Sequence, residues 1–237
     1  MKYEKNGLHN KLQVLDAIYG RHSTRAFLQT AVPQSTIESI LDVARHAPSG
    51  ANTQPWQVVV VTNPLKDAMG QAIVQARKNG IKENPDYAYY PTEWRDPYKE
   101  RRKSCGLALY SALHIPKEDT VHREIAWYRN YHFFEAPVGL FFFIDRDLQK
   151  GSWIDMGMFI QNVMLAALAH DLDTCPQASL AEYPDIVRGF LLNTRISDEQ
   201  ALVCGMALGF ADTEHPINQY RTTREPVASF TEYVNGK

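Results

Sequence analysis

The sequence predicts a globular protein of mixed helices and strands, and three observations carry that expectation. Stretches with apolar residues at helical spacing alternate with short β-branched or aromatic runs, so both element types share one chain. Hydrophobic residues make up 44% and charged residues 22% of the 237, the balance of a soluble protein able to bury a sizeable core. No internal repeat, low-complexity tract or linker divides the chain, so one domain over 1–237 is expected.

Residues 11–19 place Leu12, Leu15, Ile18 and Tyr19 at helical spacing, and Gly20 is the kind of residue that ends a helix in the left-handed region. After Pro33, the Ser35-x-x-Glu38 pair reads as a capping box, with Ile37, Ile40, Leu41 and Ala44 as the apolar stripe of a second helix. The β-branched run QVVVVT at 57–62 predicts a central strand, and a third helix covers about 64–79. From 81 to 100 the texture changes. IKENPDYAYYPTEWRDPYKE is rich in Tyr, Pro and charge, lacks a period, and reads as a long ordered excursion of the kind that often carries function. Helical patterns return near 98–113 and 118–132, and a buried strand follows at 138–145. The segment 153–170 carries Ile154, Met158, Leu165 and Leu168 on one stripe, interrupted midway by Gln161 and Asn162. Met156, Phe159, Ile160, Val163 and Met164 spread apolar character over its other faces, and a helix apolar nearly all round belongs in a core or an interface. A short strand near 173–178, a helix at 182–192, the strand ALVCGMALGF at 201–210 and the tail NQYRTTREPVASFTEYV complete the order.

Charge, cysteine usage and missing motifs exclude several classes. A net charge of -2 offers no basic field for a nucleic-acid backbone or an anionic membrane. The start MKYEKNGLHNK is too polar for a signal peptide and the run VGLFFFI too short to span a bilayer, so a cytoplasmic location is expected. Cys105, Cys175 and Cys204 stand far apart with no CxxC pair, which argues against a disulfide framework and a structural zinc site and favours buried thiols in a reducing cytosol. There is no GxxxxGK[ST] or GxGxxG loop, no HExxH, no clustered His/Asp ligand set and no GxSxG elbow, so no metal is expected. Gly205-x-x-x-Gly209 lies inside a strand pattern, where it permits close backbone approach, and Cys175 reads as a structural thiol.

The stretch GRHSTRAF at 20–27 sets Arg21, Ser23 and Arg25 at every second position, on one side of a short extended segment. Two guanidinium forks and a hydroxyl suit an anion, while a solvated basic turn is the plainer reading. Fully extended, the segment spreads Arg21 and Arg25 over roughly 13 Å, so one phosphate receives both only if the chain bends.

RHSTRAF followed by APSGANTQPW at 47–56 resembles the FMN-dependent nitroreductase family, and the pairing is more specific than either half. DMGMFIQNVMLAALAHDLDTCP at 155–176 looks like that family's long dimer-interface helix and the strand behind the flavin, and GMALGFAD with NQYRTTREPV looks like its closing strand and basic tail. Only about 81–135, the variable lid region of such proteins, has no matching pattern. The resemblance implies an α+β, three-layer fold with a mixed, mostly antiparallel sheet flanked by helices, built as an intertwined homodimer with FMN at the subunit interface. It implies that Arg21, His22 and Ser23 hold the phosphate and ribityl chain, joined by Arg224 or Arg221 from the tail, while Arg25 approaches the pyrimidine edge. Pro48, Ser49, Gly50 and Asn52 would reach the flavin from the other subunit. Pro176, Gln177, Ala178 and Ser179 would run along the ring with a backbone N–H near N5, although many members carry an acidic residue and a glycine where Ala178 and Ser179 stand.

The implied activity is transfer of hydride from NADH or NADPH through FMN to nitroaromatic or quinone-like acceptors in a ping-pong cycle, with no catalytic side chain because the cofactor carries the chemistry. The alternatives are a same-fold ene-reductase or reductive dehalogenase, or a flavin-binding protein without turnover. A flat nicotinamide and a flat acceptor need a lid opposite the flavin, and Tyr87, Tyr89, Tyr90 and Trp94 in the aperiodic excursion are the candidates. The basic group Arg95, Lys99, Arg101, Arg102 and Lys103 beside them reads most plainly as solvated charge, and an Arg of it near the site would add a preference for carboxylated acceptors.

Overall fold

A computed structural model gives the fold of the protein over residues 7–234, with side chains described from Val14 onward. Four strands, β1 (Gln57–Thr62), β2 (Val138–Asp145), β3 (Asp173–Gln177) and β4 (Gln200–Gly209), form one sheet in the order β1-β2-β4-β3. Every neighbouring pair is antiparallel. Seven α-helices surround it: α1 (Gly7–Gly20), α2 (Gln34–Ala44), α3 (Leu65–Lys78), α4 (Tyr98–Ala112), α5 (Thr120–Tyr128), α6 (Lys150–Leu168) and α7 (Pro184–Phe190).

The continuous apolar run of β2 follows from its central position, because a strand buried on both faces needs no polar alternation. Leu140, Phe142 and Ile144 point into a core made with α2 and α6. Phe141 and Phe143 point the other way, into a core made with α3 and α7. Each fully buried Phe contributes about 1.5–3 kcal/mol, so the alternating aromatics of one strand bind the two outer layers to the sheet. Glycines let neighbouring chain come close: a Cβ on Gly205 would lie 2.3 Å from Leu180 Cδ1, and one on Gly209 2.6 Å from Pro137 Cδ.

The β2/β4 ladder carries one bulge, which anchors the aperiodic excursion. Phe142 faces Cys204 and Phe143 faces Leu202, leaving Val203 as the extra residue. Val203 and Cys204 therefore both face the α6 side. The Tyr87 hydroxyl donates to the Val203 carbonyl at 2.6 Å, and the Leu202 N–H donates to Asp86 Oδ2 at 2.7 Å. Asp86 also receives Arg146 Nη2 at 2.6 Å and a close bond from Arg188 Nη2. Burial works against its charge, yet these hydrogen bonds outweigh it and hold the carboxyl below the usual aspartate range.

Several expectations are corrected. QVVVVT is an edge strand of the sheet among the described residues, and its Val60 is exposed, since β-branched composition does not reveal how many neighbours a strand has. Gly20 ends α1 without a positive φ. The capping box does not form, because Pro33 takes the N-cap and Ser35 already lies inside α2. The helix expected over 118–132 is the shorter α5, and the chain then turns into a 3-10 segment at Phe133–Glu135. Cys105 is exposed, whereas Cys175 and Cys204 are buried free thiols. In α6, Met156, Phe159, Val163 and Met164 face the sheet, while Ile154 of the first stripe is 66% exposed. The side chain of Leu12 and the first six residues lie outside the described residues, but Leu15, Ile18 and Tyr19 are all exposed. Among the described residues no helix is long and apolar enough to cross a membrane.

Candidate cofactor site

The basic segment does not form the extended strand its alternation suggested. It is tied to the sheet at two points, a parallel bridge between Ser23 and Thr174 and an antiparallel bridge between Phe27 and Ala211. The Thr24 N–H donates to the Thr174 carbonyl at 3.1 Å, and buried Thr24 Oγ1 donates to Asp173 Oδ1 at 3.2 Å. Asn218 clamps the segment from the far end of the chain. Its Oδ1 accepts the Arg25 N–H at 2.8 Å, and its Nδ2 donates to the carbonyls of Ala26 and Asp212 at 2.8 Å each.

These ties place Arg21, Ser23 and Arg25 beside Cys175 at the end of β3. Arg25 Nη1 bends back to the Ser23 carbonyl and the Tyr220 hydroxyl, both at 3.2 Å, so its guanidinium is held rather than free. Arg21 takes the opposite role. Burial and then the nearby positive charge of Arg224 lower its pKa, and among the described residues neither arginine forms an ion pair with a carboxylate. Arg224 Nη1 is bonded to Thr222 Oγ1 at 2.7 Å, whereas Arg221 Nη1 is committed to the Asn218 carbonyl at 2.7 Å. The geometry therefore separates the two tail arginines: Arg224 lies within electrostatic reach of Arg21, and Arg221 braces the clamp. His22 turns its ring inward, with Nε2 at 3.4 Å from Thr24 Oγ1 and Nδ1 at 3.2 Å from the Gly20 carbonyl.

The last residues of β3, Pro176 and Gln177, lead into the short turn Ala178–Ala181. Gln177 Nε2 donates to the Asn130 carbonyl at 2.6 Å. Its Oε1 and the Ser179 hydroxyl are buried with no hydrogen-bond partner among the described residues. A buried polar group without a partner costs about 1–3 kcal/mol, and a polar ligand would relieve that cost at both, one at the end of β3 and the other in the turn after it. The Cys175 thiol is pushed up by burial, and that of Cys204 up to about 12, so neither is a ready nucleophile.

Pro48, Ser49, Gly50 and Asn52 are not brought to this cluster by any hydrogen bond. Their loop sits on α6, where the Gly50 N–H donates to buried Asp155 Oδ2 at 3.1 Å and Ser49 Oγ accepts from the Gln54 N–H at 3.0 Å. Ala51, Asn52 and Gln54 all take positive φ, an uncommon conformation for residues with a Cβ. Of the aromatic candidates, Tyr87 is anchored, its ring 4.5 Å from Trp153 and its phenol pKa raised by burial. Tyr89 and Tyr90 are exposed. Two open clefts lie elsewhere on the surface, one around Lys66 and His132 and one around Arg77 and Tyr128. Among the described residues no group of His, Cys, Asp and Glu is arranged to hold a metal.

Sequence reading missed Asn218, Tyr220, Asp155 and Asp86. Asp155 had a signal, a single acid at the head of an otherwise apolar helix, but the partners of the others are set by contacts more than a hundred residues apart.

The nitroreductase family model matches residues 18–210, which spans both basic and loop motifs and all four strands. The chain belongs to the nitroreductase family. It is 39% identical over 217 residues to a 4-nitrobenzoate reductase of Pseudomonas putida, covering 92% of this chain and 93% of that one. It is 37% identical over 223 residues to a chloronitrobenzene nitroreductase of Comamonas testosteroni, covering 93% and 96%. Among solved structures, the FMN-dependent nitroreductase NfnB from Mycobacterium smegmatis in complex with NADPH superposes with a TM-score of 0.89 at 31% identity, covering 95% of this chain and 100% of that one. The expected α+β layering is that of this nitroreductase fold.

Proposed function

We infer that this member of the nitroreductase family is an FMN-dependent oxidoreductase that uses NAD(P)H to reduce nitroaromatic acceptors. The observations that carry the site are two neighbouring cations lacking a carboxylate, Arg21 and Arg224, and two orphaned buried polar atoms, Gln177 Oε1 at the end of β3 and Ser179 Oγ in the turn after it. FMN fits this donor set, with a phosphate for the cations and a polar ring edge for the orphans.

Bound FMN would supply the carriage of hydride between nicotinamide and acceptor. Arg21 and Arg224 neutralise the phosphate, with Ser23 adding a neutral donor. Arg25, fixed by Tyr220 and the Ser23 carbonyl, presents a preorganised positive charge that stabilises negative charge on the ring system without reorganising. A backbone N–H of Ala178 or Ser179 would serve as a hydrogen-bond donor to the bound ring system. Tyr87, Tyr89, Tyr90 and Trp94 roof the acceptor.

The active unit is a homodimer. Exposed Leu15, Ile18 and Ile154 leave an apolar surface on α1 and α6 that a second copy covers, and Pro48 to Asn52 then serve the partner's flavin. Three free thiols suit the reducing cytoplasm. Anaerobic titration of the purified protein tests the reading: a yellow protein bleached by NADPH or NADH and re-oxidised by 4-nitrobenzoate is expected. Colourless protein that takes up no FMN, or yellow protein that neither nicotinamide bleaches, overturns it.

A further inference from the structure

Arg95, Lys99 and Arg102 are spaced by four and three residues. Lys99 and Arg102 share one face of α4 three residues apart, and Arg95 lies just before the helix, where its carbonyl accepts the Lys99 N–H at 3.0 Å. Among the described residues none of the three meets a carboxylate, while their neighbours do: Arg101 pairs with Glu225 at 3.1 Å and Lys103 with Glu100 at 3.4 Å. Like charges at this spacing repel, so the face is favourable only when an anion joins it.

A row of aromatic rings leads to the same place. The Arg102 guanidinium stands 5.2 Å from the centre of the Trp94 ring, Trp94 lies 5.5 Å from Tyr90, and Tyr90 meets Tyr89 edge-on at 4.6 Å. The middle of α4 approaches the candidate cofactor site. The helix packs on the Pro216–Asn218 turn, and Cys105 acts electrostatically on Tyr220, the partner of Arg25. From Lys99 to Cys105 the helix axis runs about 9 Å, with Trp94 and Arg95 beyond its N-terminus, within the reach of a dinucleotide whose other end lies at the flavin.

We propose that Trp94 and Arg95, together with the Lys99 and Arg102 face of α4, bind the adenosine 2′-phosphate of NADPH and so set a preference for NADPH over NADH. The proposal rests on the NAD(P)H-dependent reading above. A phosphate monoester close to a dianion at neutral pH matches guanidinium forks and an ammonium group, and the adjacent adenine is a flat ring for Trp94 to stack on. The 2′-hydroxyl of NADH offers these cations no charge.

Calorimetric titration of the FMN-loaded protein with adenosine 2′,5′-bisphosphate and with 5′-AMP tests the site without turnover. Losing one charge-assisted contact weakens binding roughly 10- to 150-fold, so Arg102→Ala should weaken the bisphosphate by that factor and 5′-AMP far less. The NADPH-to-NADH ratio of kcat/KM should fall in parallel, and Arg95→Gln, exposed and harmless to folding, should move both readouts the same way. Wild-type protein that binds the two nucleotides equally, or a loss in the variants confined to a carboxylated nitroarene, overturns the proposal. Wild-type protein that oxidises neither nicotinamide overturns the redox reading instead, and the nucleotide titration still decides the patch.

Discussion

Asp86→Ala should cost far more than a surface charge, because of what it leaves behind. The Asp86 side chain is 7% exposed and its partner Arg188 10% exposed. Arg188 Nη2 also donates to the Gln200 carbonyl at 2.7 Å, and two exposed carboxylates stand further off, Asp185 at 3.5 Å from Nη1 and Asp198 at 3.9 Å from Nε, so Asp86 is its one buried, hydrogen-bonded countercharge. Breaking a buried ion pair by removing one member costs about 3–5 kcal/mol. The Leu202 N–H at the bulge loses its acceptor as well. In a chain of this length each kcal/mol shifts Tm by about 2–4 °C, so a fall of roughly 6–20 °C is expected. The pH dependence has a definite sign. A carboxyl held below its unfolded pKa contributes stability that is present above the unfolded value, near 4, and is lost as pH falls through the folded one. The gap between wild type and variant should therefore be full at pH 7 and close only in acid. Calorimetric melts at several pH values measure it, with proteolysis of the 81–97 segment as a second readout. Asp86→Ala combined with Arg188→Met should recover much of the loss, since a buried pair replaced by apolar groups is often neutral. A single variant within 1 kcal/mol of wild type at pH 7 would refute the reasoning.

Arg21→Ala should weaken FMN by roughly 10- to 150-fold, the loss of one charge-assisted bond, while leaving riboflavin affinity nearly unchanged. Because Arg21 and Arg224 repel in the cofactor-free protein, the apo variant should melt no lower than wild type; equal losses for both flavins would point to misfolding. Gly205→Ala drives a Cβ into Leu180 at 2.3 Å, and overpacking of this kind costs about 1–3 kcal/mol, to be read as a lower denaturant midpoint. Tyr87→Phe removes the hydroxyl that serves the Val203 carbonyl, and should raise KM for nitroaromatic acceptors with FMN content intact; unaltered acceptor kinetics would remove Tyr87 from the roof.

The sequence by itself determined the elements and the chemistry they carry. VGLFFFI dictated a strand buried on both faces, the apolar periods marked where the helices lie but missed ends of α1 and α5 by up to four residues, and the pairing of RHSTRAF with APSGANTQPW pointed to the family before any coordinates. Glycines 205 and 209 were legible too, because a strand interior tolerates them only where another chain segment comes close. Tertiary structure decided everything that depends on a neighbour. QVVVVT has the same composition at an edge as at a centre, so only pairing made it an edge. Arg21, Ser23 and Arg25 alternate in sequence, yet Arg25 folds back onto Tyr220 and Arg21 stays beside Arg224, because Asn218 grips the segment from 193 residues away. The bulge at Val203, and the choice of Asp86 and Tyr87 to dock on it, arise where a ladder of fixed spacing must absorb one extra residue. Local propensity acts over a few residues and leaves such matches open; side-chain reach across the folded chain closes them.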